Sequence, residues 1–239
     1  MKNSKPNLPA LLGARICHDL IGPVSAISNG MELLHLSGDL TGPESELIDA
    51  SAQSANARLR FFRLAFGQTS ADQWISGAEL TEIITKHYSD GSLHVQIDAP
   101  NDMPCTRAQL TILLLLCCET ILSQRGKVLV DATGHINCQG ILKPERQTMW
   151  AILQTNKEWP TDMAPSEVHF ALTREVLNAC ALQVRSEQFG QNLSITTEPV
   201  AHASPSGQEC EEVSLASITC ITGLEGHNLW SQLMGSTGR

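Results

Sequence analysis

The sequence predicts an α+β protein in which an N-terminal helical hairpin, forming a four-helix bundle on dimerisation, precedes a mixed helix-and-strand sandwich. Two observations carry this. Apolar residues Ile16, Leu20, Pro23, Ile27, Gly30 and Leu34 step by four, three, four, three and four, the seam of a coiled-coil-like bundle. Beyond residue 76, helical and strand patterns alternate in mixed order, which fits a helix-on-sheet sandwich.

The first helix is expected over residues 8–36, with a kink near Pro23; a break there between two shorter helices would interrupt the seam. Residues 38–42 carry two glycines and end it. Pro43 suits the first turn of a second helix, where Glu44 and Glu46 complement the positive helix end. That helix runs to about Phe66, with Leu47, Ile48, Ala55, Leu59, Phe62 and Phe66 on its apolar face. Arg58, Arg60 and Arg63 lie beside that stripe and read as a solvated face. Two helices alone rarely cover both sides of such stripes, so a homodimer is expected.

A polar connection over residues 67–72 leads to Ser76-Gly77-Ala78-Glu79, a capping box opening a helix through His87. Residues 93–97 alternate as a strand, and Thr106 with Gln109 forms another capping-box pattern before an apolar helix to about Ser123. Strands are expected at 127–130 and 148–154, a helix at 166–180, and a hairpin of 182–187 with 192–197 around Gly190. Residues 215–221 have the character of one more strand. The domain division is 8–67, 76–200 and an unassigned tail at 201–239.

Composition narrows the function. Of 239 residues, 42% are hydrophobic and 17% charged, ordinary globular usage. A net charge of −9 argues against nucleic acid as partner. The longest uninterrupted apolar run, 112–118, is short of the ~20 residues a bilayer crossing needs, and the N-terminus lacks a signal-peptide pattern. No membrane partner and a cytoplasmic location are therefore expected. The eight cysteines show no CxxC spacing and read mostly as buried thiols. The histidines other than His18 lack paired metal-ligand spacing, and no metal is assigned.

The stretch His18-Asp19-Leu20-Ile21-Gly22-Pro23-Val24 resembles the phospho-accepting box of sensor histidine kinases, His-(Glu/Asp)-x-x-x-Pro-(Leu/Val). With its flanks, Ala14-Arg15-Ile16-Cys17 and Ser25-Ala26-Ile27-Ser28-Asn29-Gly30-Met31-Glu32-Leu33-Leu34, it is closer still to the ChpT-type histidine phosphotransferases of alphaproteobacteria. The resemblance implies a dimeric four-helix bundle followed by a degenerate version of the histidine-kinase ATPase-like α/β sandwich, over about residues 8–200. An active kinase of that plan needs an Asn-bearing helix and an Asp-x-Gly turn. Here Leu113-Leu114-Leu115-Leu116-Cys117-Cys118-Glu119-Thr120 holds no Asn, and residues 156–165 no Asp-x-Gly. No nucleotide cofactor is therefore expected on this chain.

The resemblance makes His18 the phospho-acceptor and Asp19 its helper. His18 lies two residues from both Ile16 and Leu20, off the seam, so it should face solvent. Gly22, Ser25 and Asn29 follow on nearly the same face and form an expected docking strip for receiver domains. Arg15, one turn before Asp19, either steers a receiver's acidic pocket or pairs with Asp19. Kinases of this plan often carry Thr or Asn at the Gly22 position to support phosphatase activity, which Gly22 does not supply. The expected role is a phosphorelay transferase between response-regulator receiver domains, including one of a hybrid sensor kinase, with Mg²⁺ held by the partner receiver. The alternative is a non-catalytic module that binds and inhibits a receiver or kinase. The retained second domain is an expected secondary docking surface.

Overall fold

The computed structural model describes residues 5–37, 42–70, 72–89, 91, 93–123, 126–155 and 157–200. Helix α1 is Leu8–Ser37 and α2 is Pro43–Phe66. They run antiparallel, since Gly30 late in α1 meets Ile48 and Glu44 early in α2. A Cβ at Gly30 would come within 2.6 Å of Ile48 Cγ1, so the seam needs its smallest residue at this crossing. Pro43 opens α2 and Gly42 is its N-cap, as the sequence predicts. Pro23 sits inside an unbroken α1.

The seam residues of α1 are the half-buried ones, and Gly30 is fully buried. In α2 the packing differs from expectation. Leu47 and Leu59 are exposed, whereas Phe61, left out of the predicted stripe, is fully buried beside Phe62 and Ala65. The cause is a second contact face: the end of α2 packs on α3 and α4, and the Phe61 ring stacks on His87 at 3.6 Å between centroids. Arg60 is also no bare solvated cation, because it bridges to Glu82 at 3.1 Å.

The remaining elements are β1 (Trp74–Ile75), α3 (Gly77–Tyr88), β2 (His94–Ile97), β3 (Met103–Pro104), α4 (Cys105–Ile121), β4 (Lys127–Val130), β5 (Ile136–Gln139), α5 (Gln147–Thr155), α6 (Val168–Ala179), β6 (Leu182–Phe189) and β7 (Asn192–Pro199). Five strands form one sheet in the order β2-β4-β5-β7-β6, with β2 and β4 parallel and the other pairs antiparallel. Strands β1 and β3 make a separate two-stranded ladder, Ile75 opposite Met103. Burial alternates along β4 and β5, where Val128, Val130, Ile136 and Cys138 face inward. Helix α4 is buried almost throughout from Ala108 to Cys118 and, with α6, forms the centre of the core.

Ser76 caps α3 by accepting from the Glu79 amide at 3.1 Å, as the capping-box spacing predicts. The β6–β7 hairpin closes at Gly190, whose φ of +61° suits glycine in its turn. Two expectations fail. Residues 148–154 are helix α5, because Met149, Trp150 and Leu153 are buried at helical spacing behind a 3₁₀ turn at Pro144–Arg146. The strand sits earlier, at β5, where Asn137, a residue depleted in strands, weakens the local pattern. Thr106 is no cap, since α4 starts at Cys105 with Pro104 as its N-cap residue. Gln109 instead reaches out of the helix: its Nε2 donates to Ala65 O at 3.1 Å and Gly67 O at 2.9 Å, and its Oε1 accepts from Thr69 at 3.0 Å. One amide thereby clamps the end of α2 and the connection after it to α4.

Cys117, Cys118 and Cys138 are buried free thiols, while Cys17 is exposed. By length and composition Leu8–Leu36 could cross a membrane, so the longest uninterrupted run understated α1. An amphipathic bundle helix passes the same test, and α1 carries Arg15, His18, Asp19 and Glu32. The tail at 201–239, with its expected strand at 215–221, and the break at 38–41 lie outside the described residues.

Candidate functional site

His18 lies in the first half of α1 on the side away from the seam, and its side chain is 85% exposed. Asp19 is the opposite case. Its side chain is only 12% exposed, and its two oxygens are divided between neighbours: Oδ1 is 3.0 Å from His18 Nδ1, and Oδ2 accepts from Arg15 Nε at 2.6 Å. A carboxylate can only accept, so this contact places the imidazole proton on Nδ1. Nε2 makes no such contact, and the ring that carries it faces solvent.

Arg15 is 18% exposed and makes the i,i+4 pair with Asp19, the pairing that the spacing allows. Gly22, Ser25 and Asn29 are all exposed, and no atom lies within 4 Å of where a Cβ at Gly22 would stand. The surface following His18 along the helix is therefore open and low, flanked by exposed Ile21 and Val24.

The N-terminal half of α1 also touches the second half of the chain, where Leu8, Leu11 and Ile16 pack on its core. Groups from three further helices gather on this side. Arg58 of α2, His87 and Tyr88 of α3 and Glu119 of α4 line a polar cavity of about 90 Å³. Burial pushes the His87 ring down to about 3, helped by the Arg58 charge, so it is neutral. Burial raises the Glu119 carboxyl, against the pull of Arg15. Sequence reasoning assigned none of them to a site and read Arg58 as part of a solvated face, whereas its Nε is buried. The available signal was Glu119 itself, the lone charged residue of the apolar helix after Arg107.

Among the described residues no three His, Cys, Asp or Glu side chains are grouped to hold a metal ion. Chemically, the arrangement around His18 offers an exposed imidazole whose orientation is fixed through Nδ1.

Comparisons with known proteins bear on the fold and on the second half of the chain. The histidine phosphotransferase C-terminal domain family matches residues 77–192. The protein phosphotransferase ChpT of Brucella abortus (strain 2308) is 34% identical over 130 residues, covering 54% of this chain. The chain spans 62% of that relative's length. Among solved structures, a bacterial phosphotransferase superposes with a TM-score of 0.65 at 24% identity, covering 80% of this chain and 96% of that one. The histidine kinase domain of a blue-light activated kinase from Erythrobacter litoralis EL346 aligns at a TM-score of 0.36 and 13% identity, over 77% and 94% of the two chains. Residues 77–192 thus match the histidine phosphotransferase C-terminal domain family, 54% of the chain is similar in sequence to the Brucella abortus ChpT, and the fold resembles that of a solved bacterial phosphotransferase.

Proposed function

We propose that the protein is a cytoplasmic histidine phosphotransferase of a multi-step phosphorelay, taking a phosphoryl group onto His18 from the aspartyl phosphate of one receiver domain and passing it to response regulators. The observation that carries this reading is the exposed His18 ring with Nδ1 tied to Asp19. Nε2 attacks the phosphorus of the aspartyl phosphate, the P–N bond forms, the P–O bond breaks and the receiver's carboxylate leaves. In the second step a carboxylate oxygen of another receiver attacks the same phosphorus and the P–N bond breaks. Asp19 keeps the proton on Nδ1 throughout and offsets the positive charge that the ring acquires on phosphorylation. Mg²⁺ bound by the receiver neutralises the phosphoryl oxygens. Gly22, Ser25 and Asn29 form the strip on which the receiver lies.

The phosphoryl source in this reading is a receiver, including one of a hybrid sensor kinase, rather than ATP. Its support is the composition of α4 and of the described loop before α6, which lack the asparagine and the Asp-x-Gly turn of an ATP site. The working unit is a homodimer. Ile21, Val24, Met31, Leu33 and Leu36 of α1 and Leu47 and Leu59 of α2 leave more apolar surface uncovered than one hairpin accounts for.

The test is transfer of labelled phosphoryl group from a phosphorylated receiver. Uptake by the full chain, lost in His18→Gln, is the expected result. Label taken directly from ATP would overturn the relay-only reading, and receiver binding without any uptake would point to an inhibitory module instead.

A further inference from the structure

The cavity enclosed by α2, α3 and α4 has features that packing alone does not account for. Its volume is about 90 Å³, and Ser54 and Arg58 of α2, Lys86, His87 and Tyr88 of α3 and Glu119 of α4 line it. Buried polar atoms in folded proteins are nearly all satisfied. Here Arg58 Nε, His87 Nδ1 and Tyr88 Oη are buried with no hydrogen-bond partner among the described residues. All three residues line the same cavity, and Tyr88 as a whole is only 7% exposed, so the space they share is where a partner can stand. One water takes up roughly 10–15 Å³ of such a void, which leaves room for several waters or for one small ligand.

The donors are held in place. The His87 ring stacks on the fully buried Phe61 at 3.6 Å between centroids and meets Tyr88 edge-on at 4.8 Å. Groups fixed by packing lose little rotamer freedom when a ligand arrives. Their chemistry is also one-sided. A guanidinium nitrogen only donates, a phenol donates, and a neutral imidazole carries one N–H. Lys86 is exposed and bonded to Glu82 at 2.8 Å, which leaves Arg58, with its Nε buried, as the cation of the interior. The one carboxyl among the described lining residues is Glu119, and burial raises it toward the neutral form, in which it donates as well.

We propose that this cavity binds a small oxyanion, phosphate or a short-chain carboxylate, which accepts from Arg58 Nε, Tyr88 Oη and His87 Nδ1. The anion satisfies three atoms that the fold leaves unpaired and neutralises Arg58 where a lone charge is costly. Its partners come from α2 on one side and α3 on the other, so it fastens the helical hairpin to the second domain. No residue of α1 is among the described lining residues, and the site does not depend on the phosphotransferase reading.

The test titrates the full chain near neutral pH with sodium phosphate or sodium acetate, ionic strength being held constant with chloride. Nitrogen-15 spectra report on the His87 ring, whose signals are assigned by their loss in His87→Gln, and thermal melts report on stability. A saturable shift of the His87 signals with a matching rise in melting temperature is expected for at least one of the two anions. A response to phosphate alone assigns a phosphoryl-type ligand, and one to acetate alone a carboxylate. Arg58→Met should weaken binding by about tenfold or more, the loss of one charged hydrogen bond. Tyr88→Phe keeps the ring, removes only Oη and should weaken binding by about three- to tenfold; it serves alone if Arg58→Met fails to fold. No saturable shift with either anion, the cavity then taking water only, would overturn the proposal. Binding that both variants leave unchanged would do the same, because the anion would then sit elsewhere.

Discussion

Asp19 Oδ1 lies 3.0 Å from Nδ1 of His18, and this contact engages one ring nitrogen and leaves Nε2 toward solvent. The arrangement has a cost in position: Asp19 is largely buried while its neighbour in sequence is almost fully exposed. Helix geometry allows this, because adjacent residues sit about 100° apart around the axis.

His18→Gln should abolish phosphoryl uptake and leave the melting temperature nearly unchanged, because the side chain is almost fully exposed and a surface contact such as its pairing with Asp19 contributes about 1 kcal/mol or less. Asp19→Asn should slow transfer by about tenfold or more, since an amide can present its NH₂ to Nδ1 and favour the wrong tautomer. Nitrogen-15 spectra of the His18 ring should then show Nδ1–H losing population to Nε2–H. Unchanged spectra with a slow variant would place the role of Asp19 elsewhere.

Gln109 should matter for the attachment of the hairpin rather than for chemistry. Gln109→Leu removes an amide that satisfies Ala65 O, Gly67 O and Thr69, in a nearly buried position. Leaving those carbonyls without a partner costs about 1–3 kcal/mol. Thermal melts should show the loss, and amide exchange should rise first around residues 65–69. Exchange that rises uniformly over the chain would argue against a local clamp.

Stability should fall in mild acid. His87 and His169 are buried and neutral, each pushed down to about 3 from an ordinary value of 6.5, chiefly by burial. The unfolded chain therefore binds these protons first. The contribution is complete above about pH 6.5 and is lost as pH falls from there toward 3, with a slope on the order of 1 kcal/mol per pH unit for each ring. Urea midpoints measured between pH 7.5 and 5 should fall accordingly, and His169→Gln, which cannot charge, should flatten the slope. The His169 ring is bonded to Thr120 at 3.0 Å, so that variant should also be less stable at neutral pH.

The hairpin should associate through its uncovered apolar residues. Leu47→Lys with Leu59→Lys leaves the buried contacts of Phe61, Phe62 and Ala65 in place. Sedimentation should report a dimer for the wild-type chain and a shift toward monomer for the double variant. A monomeric wild type at micromolar concentration would refute the dimer.

The α1–α2 hairpin, the α3 cap, the central apolar helix and the closing hairpin were legible because each is written locally, in a seam, a capping box, an apolar run or a glycine turn. His18 with its acidic neighbour, and the open strip of Gly22, Ser25 and Asn29, were legible for the same reason. Strand β5 was hidden because it carries Asn137, a residue depleted in strands, and Ile136 as its one β-branched residue, and α5 because Met149, Trp150 and Leu153 fit either element until their burial is known. Gln109 imitated a cap in sequence, and only the start of α4 at Cys105 freed it to act as a clamp. What the sequence by itself determined is therefore helices α1 to α4 and α6 and the exposed histidine, since periodicity and spacing act within one element. Only the tertiary structure decided that Asp19 and Arg15 are largely buried beside an exposed His18, and that Arg58, His87, Tyr88 and Glu119 meet around one cavity, because that lining is assembled from three helices whose positions no local pattern encodes.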